Sequence, residues 1–325
     1  MKLRRREFLQ LAAGAAVLPV TSRTALAETY PSRPVHILVG FAPGGPTDIA
    51  ARLIAQWLSD RLGQPFIVDN RPGAATNIAT EAVAHAPPDG YTLLAAVSSN
   101  AINPALYTDL TFSFTRDIAM VAELQTTPMV LEVNPSVPAS NVQELIAYAK
   151  ANPNKVTLAS FGTGTIAHVG GELFKMNAGI QMVHVPYRGS APMVSDLLAG
   201  QVQVAFDNLP SSIEFIRGGK LRALAVTTAK RWPALPDVPA LSEFQPGFEA
   251  NVWVGIAAPR GTLAEIVQKL NTEINAGLDD PKIAGRMRDL GAQVVKGTPA
   301  ELDEAVARQT EQWAKVIHAA NIKAD

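Results

Sequence analysis

Short apolar runs alternate along the chain with longer amphipathic stretches. Runs at 35–39, 66–68, 92–96, 118–124 and 129–133 read as strands, as do 156–159, 182–185, 202–206, 221–227 and 252–257. Helical spacing marks 47–62, 77–85, 145–151, 166–178 and 191–199, and three more helices close the chain at 264–278, 281–290 and 300–319. Strands alternating with helix-length crossovers predict an α/β fold on mostly parallel sheets. Turn chemistry punctuates the pattern at Asn70-Arg-Pro-Gly73, Ala86-Pro-Pro-Asp-Gly90 and Arg217-Gly-Gly-Lys220. Segment 231–246 carries Pro233, Pro236, Pro239 and Pro246 and is the clearest irregular stretch. The last three helices have no sheet of their own to cover, so they are expected to pack back on the first lobe. That makes 129–249 an inserted second lobe, with 28–128 and 250–325 forming the first. A cleft between two such lobes is the usual seat of a small ligand.

The first 27 residues follow a different pattern. Lys2 and Arg4 to Arg6 make a basic start, 8–20 is modestly apolar and too short to span a bilayer, and Ala25-Leu26-Ala27 is a small-residue cleavage site. This reads as an export signal, with the mature chain expected to begin at Glu28. Arg5-Arg6-Glu7-Phe8-Leu9-Gln10 has the twin-arginine form; a general secretory signal with an incidental Arg pair is the alternative. Either route places the folded part in the periplasm. Losing Lys2, Arg4, Arg5, Arg6 and Arg23 together with Glu7 takes the formal net charge from −1 to −5. An acidic balance of this kind argues against a nucleic-acid partner. The chain contains no Cys, which excludes disulfides, thiolate metal sites and a lipid-anchoring Cys after the signal. No later apolar run is long enough to cross a membrane, so a soluble protein without a lipid anchor is expected.

Candidate chemistry lies in the loops. Phe41-Ala-Pro-Gly-Gly-Pro-Thr-Asp48 joins an apolar run to an amphipathic one. Pro46 suits a first helical turn, Asp48 suits its positive end, and Gly44 and Gly45 let a ligand approach bare N–H groups. An ordinary strand-to-helix turn has the same look. No Lys follows in the Gly-Lys-Ser/Thr manner, so this is no nucleotide P-loop. Ser98-Ser99-Asn100, Ser160-Phe-Gly-Thr-Gly-Thr165 and Pro186-Tyr-Arg-Gly-Ser190 also follow strands. Each alone reads equally as a helix cap, but four such loops favour an anion cleft at strand carboxyl ends. Gly162-Thr-Gly164-Thr-Ile-Ala167 has the dinucleotide fingerprint's form, yet the next strand leads into Pro186-Tyr187-Arg188 rather than a ribose-binding acid. Arg188 alone leaves a 2′-phosphate open; export argues against a soluble nicotinamide enzyme, and no cofactor is expected. His36, His85, His168, His184 and His318 lack metal-ligand spacing, so no metal is expected. There is no G-x-S-x-G elbow. His168 either orients the glycine loop, touches ligand or is a satisfied structural histidine. Asp207 either faces the cleft or caps the helix at Ser211.

These motifs carry a resemblance. Tyr30-Pro-Ser-Arg-Pro34, Phe41-Ala-Pro-Gly-Gly-Pro-Thr-Asp48, Asn70-Arg-Pro-Gly73, Ala86-Pro-Pro-Asp-Gly-Tyr-Thr-Leu93, His184-Val-Pro-Tyr-Arg-Gly189, Gly200-Gln-Val-Gln-Val204 and Ala234-Leu-Pro-Asp-Val-Pro239 occur in order over the mature chain. In them the chain resembles the Bug family, the periplasmic solute receptors of tripartite tricarboxylate transporters. The resemblance implies a two-lobed, type II-like periplasmic-binding-protein fold that closes like a flytrap, with no enzyme activity. It implies a small di- or aromatic carboxylate held by backbone N–H groups, hydroxyls and ordered waters, then delivered to the membrane permease subunits. By position, the implied ligand-binding residues are Phe41, Gly44, Gly45, Asp48, Ser98 and Asn100 in the first lobe. Ser160, Gly162, Thr163, Gly164, His168, Tyr187 and Asp207 are those of the second. A monomer is expected. Ala74-Ala75-Thr76-Asn77 and Ala96-Val97 depart from the family's usual Ala or Gly runs and bear on pocket shape. Neutral donors suit a receptor that must also release its anion, since a desolvated ion pair is costly to break. The alternatives are a periplasmic hydrolase on the same fold, using a loop Ser and His168, or a receptor that signals to a sensor.

Overall fold

The computed structural model describes residues 30–324; the export signal lies outside the described residues. Two sheets divide the strands. The first contains β1 (Val35–Val39), β2 (Phe66–Asn70), β3 (Thr92–Val97), β4 (Ile118–Thr127), β10 (Val252–Pro259) and β11 (Gln293–Val294), in the order β11-β4-β10-β3-β1-β2. The second contains β5 (Met129–Val133), β6 (Thr157–Ser160), β7 (Val183–Pro186), β8 (Val204–Asn208) and β9 (Arg222–Val226), in the order β7-β6-β8-β5-β9.

The sheets are mixed, where the alternation of elements had predicted mostly parallel ones. β1 pairs in parallel with β2 and β3, and β6 with β7 and β8. β10 runs antiparallel to β3 and β4, and β5 antiparallel to β8 and β9. The antiparallel strands are the ones that carry the chain out of one sheet and back into it, so they enter from opposite ends.

Helix α1 (Pro46–Leu62) buries Ala50, Ala51, Ile54, Ala55 and Leu58, one stripe at three- and four-residue spacing, in the same core as Val35, Ile37 and Val39. It ends where Gly63 takes a left-handed φ of 72° and returns its N–H to Ser59 O. The first sheet also carries α2 (Asn77–Ala84), α3 (Ser98–Leu106) and α4 (Phe114–Asp117). The second carries α5 (Val142–Ala151), α6 (Ile166–Ala178), α7 (Ser190–Leu198) and α8 (Leu209–Arg217). After β10 come α9 (Ala264–Leu278), α10 (Pro281–Asp289) and α11 (Pro299–Ala319). Helix α9 packs on α1 and β4, and Trp57 Nε1 donates to Glu273 O at 2.8 Å. Helix α11 packs on α3 and β4 and also reaches α6 of the second lobe, with Trp313 buried beneath it.

The chain crosses between the sheets twice. Pro128 alone separates β4 from β5, and the proline-rich stretch after β9 returns to β10. Thr227 ties the two crossings together. Its N–H donates to Met129 O at 3.0 Å, its Oγ1 accepts Met129 N–H at 2.9 Å, and its carbonyl accepts Ala250 N–H at 3.2 Å. Anchored in this way, the carboxyl ends of the parallel strands of both sheets carry the loops singled out above.

Candidate functional site

In the first lobe the Phe41–Asp48 loop is shaped from within. Asp48 is 2 % exposed and accepts from Gly44 N–H at 2.9 Å, Arg52 Nε at 2.9 Å and Asn70 Nδ2 at 2.8 Å. Burial works against its charge, but hydrogen bonds from Arg52, Gly44 and Asn70 outweigh burial and hold its carboxyl below the usual carboxylate range. Asn70 Nδ2 also donates to Phe41 O at 2.9 Å, fastening the loop to the end of β2. Asp48 therefore spends its acceptors on the loop itself. What the loop turns outward is Phe41, 40 % exposed, and bare backbone. Gly44 has a φ of 89° with open space where a Cβ would stand, and no side chain caps the helix start at Gly45. The first-turn N–H groups of α1 are thus left toward the loop side.

A second first-lobe loop, 74–77, was singled out from sequence only as bearing on pocket shape, with none of its residues among the expected ligand contacts. Ala74, Ala75 and Thr76 adopt φ of 44°, 50° and 78°, a left-handed run that residues with a Cβ rarely take. It is pinned from α3, a helix whose first turn the sequence presented only as a polar loop. Asn100 Oδ1 accepts Val97 N–H at 2.7 Å, and its Nδ2 donates to Thr76 Oγ1 at 3.1 Å and Thr80 Oγ1 at 2.8 Å. Asn103 Nδ2 donates to Ala75 O at 2.7 Å and Asn77 Oδ1 at 2.8 Å. Asn100 is consequently engaged by the protein on every side. Ser98 is buried, and its hydroxyl has no hydrogen bond to other described residues. Asn77 Nδ2 is a buried donor with no partner among them. Burial of such donors is unfavourable unless something accepts from them.

The second lobe contributes the loop between β6 and α6. Ser160 Oγ lies 2.7 Å from His184 Nε2 and 3.1 Å from Gly162 O. The serine is 1 % exposed, and its histidine neighbour is His184, not His168. Thr165 accepts from His168 N–H as the cap of α6 and donates to Gly162 O at 2.7 Å. His168 Nδ1 accepts Gly164 N–H at 3.1 Å, and its ring stacks on His184 with centroids 3.6 Å apart. Burial first, then the charges of His184 and Lys175, push His168 down to about 3. It is neutral, with its proton on Nε2, and it orients the glycine loop through Nδ1. Gly162 and Gly164 have φ of 153° and 70°, and a Cβ on Gly164 would lie 2.5 Å from Leu106 Cδ1 at the end of α3. Here the two lobes approach each other. Thr163, between those glycines, is half-buried and makes no side-chain hydrogen bond to other described residues.

Two further candidates sit beside this loop. Tyr187 donates to Asp196 Oδ2 at 2.7 Å, and burial, with that bond and that charge, pushes its hydroxyl up to about 12. Asp207 caps no helix: Asn208 occupies the cap position of α8 without a side-chain bond. Its carboxyl instead accepts from Ser190 at 2.5 Å and Ser212 at 2.6 Å.

Sequence comparison adds relatives to this geometry. Residues 50–322 match the tripartite tricarboxylate transporter family receptor. Protein BugT of Bordetella pertussis is 38 % identical over 300 residues, spanning 91 % of this chain and 92 % of BugT. Among solved structures, an R. palustris protein with adipate is 39 % identical with a TM-score of 0.73, covering 90 % of this chain and 99 % of its own. MatC from Rhodopseudomonas palustris, with bound malate, is 33 % identical with a TM-score of 0.71, covering 89 % of this chain and 100 % of its own. With the two-lobed fold, the glycine loops at strand carboxyl ends and a match over most of its length, the chain belongs to the tripartite tricarboxylate transporter receptor family, that of the Bug proteins.

Proposed function

We propose that this chain is a periplasmic receptor that captures a small carboxylate between its lobes and delivers it to the permease of a tripartite tricarboxylate transporter. The lobes are residues 28–128 with 250–325, and 129–249. The observation that carries this reading is that helices in both lobes start at glycine- or serine-bearing loops after strands: the Gly44–Gly45 turn, where no side chain caps α1, the α3 start with its Ser98 hydroxyl, and the Gly162–Gly164 loop at α6, which meets Leu106 of the first lobe. Binding of adipate and malate by relatives supports a carboxylate. Phe41, Gly44, Gly45, Ser98, Gly162, Thr163 and Gly164 are the proposed ligand contacts, while Asp48, Asn100, Ser160, His168 and Tyr187 hold the loops that present them. A ligand bridging both lobes stabilises the closed state, the hinge being the Pro128 and Thr227 crossings.

The test is thermal melting of residues 28–325 against a panel of mono-, di- and aromatic carboxylates. A ligand at a hundred times its Kd adds about 2.7 kcal/mol, and each kcal/mol raises the midpoint by roughly 2–4 °C in a chain of this order of size. A rise of several degrees for one acid, absent for its amide, is expected. No rise with any acid, together with turnover of an ester panel, would discard the receptor in favour of a hydrolase.

A further inference from the structure

A buried chain of polar groups in the second lobe has no part in the capture scheme above. Glu132 on β5 and Asp207 on β8 are both 0 % exposed. Ser212 bridges them, with its Oγ 2.8 Å from Glu132 Oε1 and 2.6 Å from Asp207 Oδ2. The other oxygen of Asp207 lies 2.5 Å from Ser190 Oγ. Glu132 Oε2 is sealed without a partner among the described residues. Ser190 is the half-buried end of the chain, the first residue of α7, directly after the Tyr187–Gly189 loop at the carboxyl end of β7.

Ser212 has one hydroxyl proton and touches two carboxyl oxygens. With both acids ionised, one of those contacts sets lone pair against lone pair between two buried anions. A proton on Glu132 removes the conflict: Glu132 donates to Ser212, Ser212 donates to Asp207, and Ser190 donates to the other Asp207 oxygen. Burial, then the Asp207 charge, push Glu132 well above the carboxylate range, and burial raises Asp207 despite its three hydrogen bonds. In this singly protonated chain the Ser190 proton points inward, and only lone pairs face the cleft. A second proton, placed on Asp207, reverses the last link. Asp207 then donates to Ser190, and the Ser190 proton turns outward.

The surroundings contain few other charges that bear on this chain. From β5 the group facing Asp207 is Glu132; from α7 and α8 it is the hydroxyls of Ser190 and Ser212. Asp196 of α7 is held by Tyr187, and Glu214 and Arg217 of α8 pair with each other at the surface. On the β6–β7 side, neutral His168 stacks on His184, which bonds Ser160.

We infer that Asp207, backed by Glu132, determines specificity in the second-lobe half of the cleft. Through Ser190 it takes a hydroxyl or ammonium donor of the ligand at neutral pH, and it takes a bare carboxylate oxygen only together with a proton. The proton comes from solvent and goes to Asp207; only O–H bonds change. This inference rests on the carboxylate-receptor reading. Its test is calorimetric titration of residues 28–325 with succinate and malate, which differ by one hydroxyl, in buffers of unlike ionisation enthalpy. Succinate is expected to bind with uptake of close to one proton, its affinity rising about tenfold per unit fall in pH; malate binds with none. Asp207→Asn, whose amide donates to Ser190 as the neutral acid does, should bind succinate without uptake. Succinate binding without uptake by the unaltered chain, or equal uptake by Asp207→Asn, overturns the inference and leaves the receptor reading intact. Binding of neither acid counts against the receptor reading. The ligand-free chain then still decides the buried proton: an infrared carbonyl band of a protonated acid that persists well above neutral pH, where Glu123 is ionised, and is lost in Glu132→Gln, is expected, and its absence overturns the inference by itself.

Discussion

Individual residues in this cleft divide into those that hold and those that are held. Asp48 holds: its three donors converge on a buried carboxylate. Asp48→Ala strands the Gly44 N–H and the Arg52 guanidinium, at an expected loss of about 1–3 kcal/mol, checked by urea unfolding. Because the folded carboxyl sits below its unfolded value, this contribution is fully present above the unfolded carboxylate range and is lost as pH falls through the folded pKa. The difference between Asp48→Ala and the unaltered chain should therefore shrink in acid. Residue type alone suggested that Asp48, Asn100, His168 and Asp207 belonged to the site region, but not what each does there. Polar side chains at a loop are equally able to bond ligand or backbone, and only the placement of Gly44, Val97, Gly164 and Ser190 decides which. Asn77 was singled out only as bearing on pocket shape, because the left-handed run of Ala74 to Thr76 that sets its position leaves no mark in residue type.

At the scale of elements, most of the fold was legible. The apolar stripe of α1 and the glycine turn before it were read at nearly their observed bounds, because a 3.6-residue period and a Pro-Thr-Asp start are local signals. Helix α3 was not, since Ser98-Ser99-Asn100 resembles a loop and Pro104 interrupts the helical pattern. Strand β11 spans only two residues and owes its existence to pairing with β4. Strand direction was likewise invisible, because a buried run looks the same whichever way it enters a sheet. The close approach of Gly164 to Leu106 makes an element-level prediction. Gly164→Ala meets both a left-handed backbone and the Leu106 methyl, so about 1–2 kcal/mol is expected to be lost. Part of that loss falls on closure, and ligand affinity should drop more than unfolding stability does. Leu106→Ala in the same chain should restore affinity only in part, since the backbone strain remains.

Across the whole molecule, two crossings join the sheets, and they form the proposed hinge. Glu123 on β4 and Glu249 on the returning segment both lie beside them. Burial first, then the Glu249 charge, push Glu123 up to about 7. A raised acid pKa means the folded chain keeps a proton that the unfolded chain gives up. Stability therefore falls as pH rises from the ordinary carboxylate range to about 7, by about 3 kcal/mol for the full shift. Glu123→Gln should match the unaltered chain in acid and melt several degrees higher above neutrality, a comparison made by calorimetry across pH. Equal melting at alkaline pH would show that the acid is solvated in the native hinge.

The position of β10 has a consequence for how the protein is made. It lies between β3 and β4 at the centre of the first sheet, yet it is 252–259 in the sequence. The second sheet is drawn from one uninterrupted stretch, so it can assemble as soon as β9 is synthesised. The first sheet cannot, because its middle strand arrives more than a hundred residues after its neighbours. Non-local pairing of this kind is slow to form. The second lobe is thus expected to be the early-folding unit. Until residue 259 has emerged, β3 and β4 remain unpaired edges, the part of the nascent chain most exposed to misassociation.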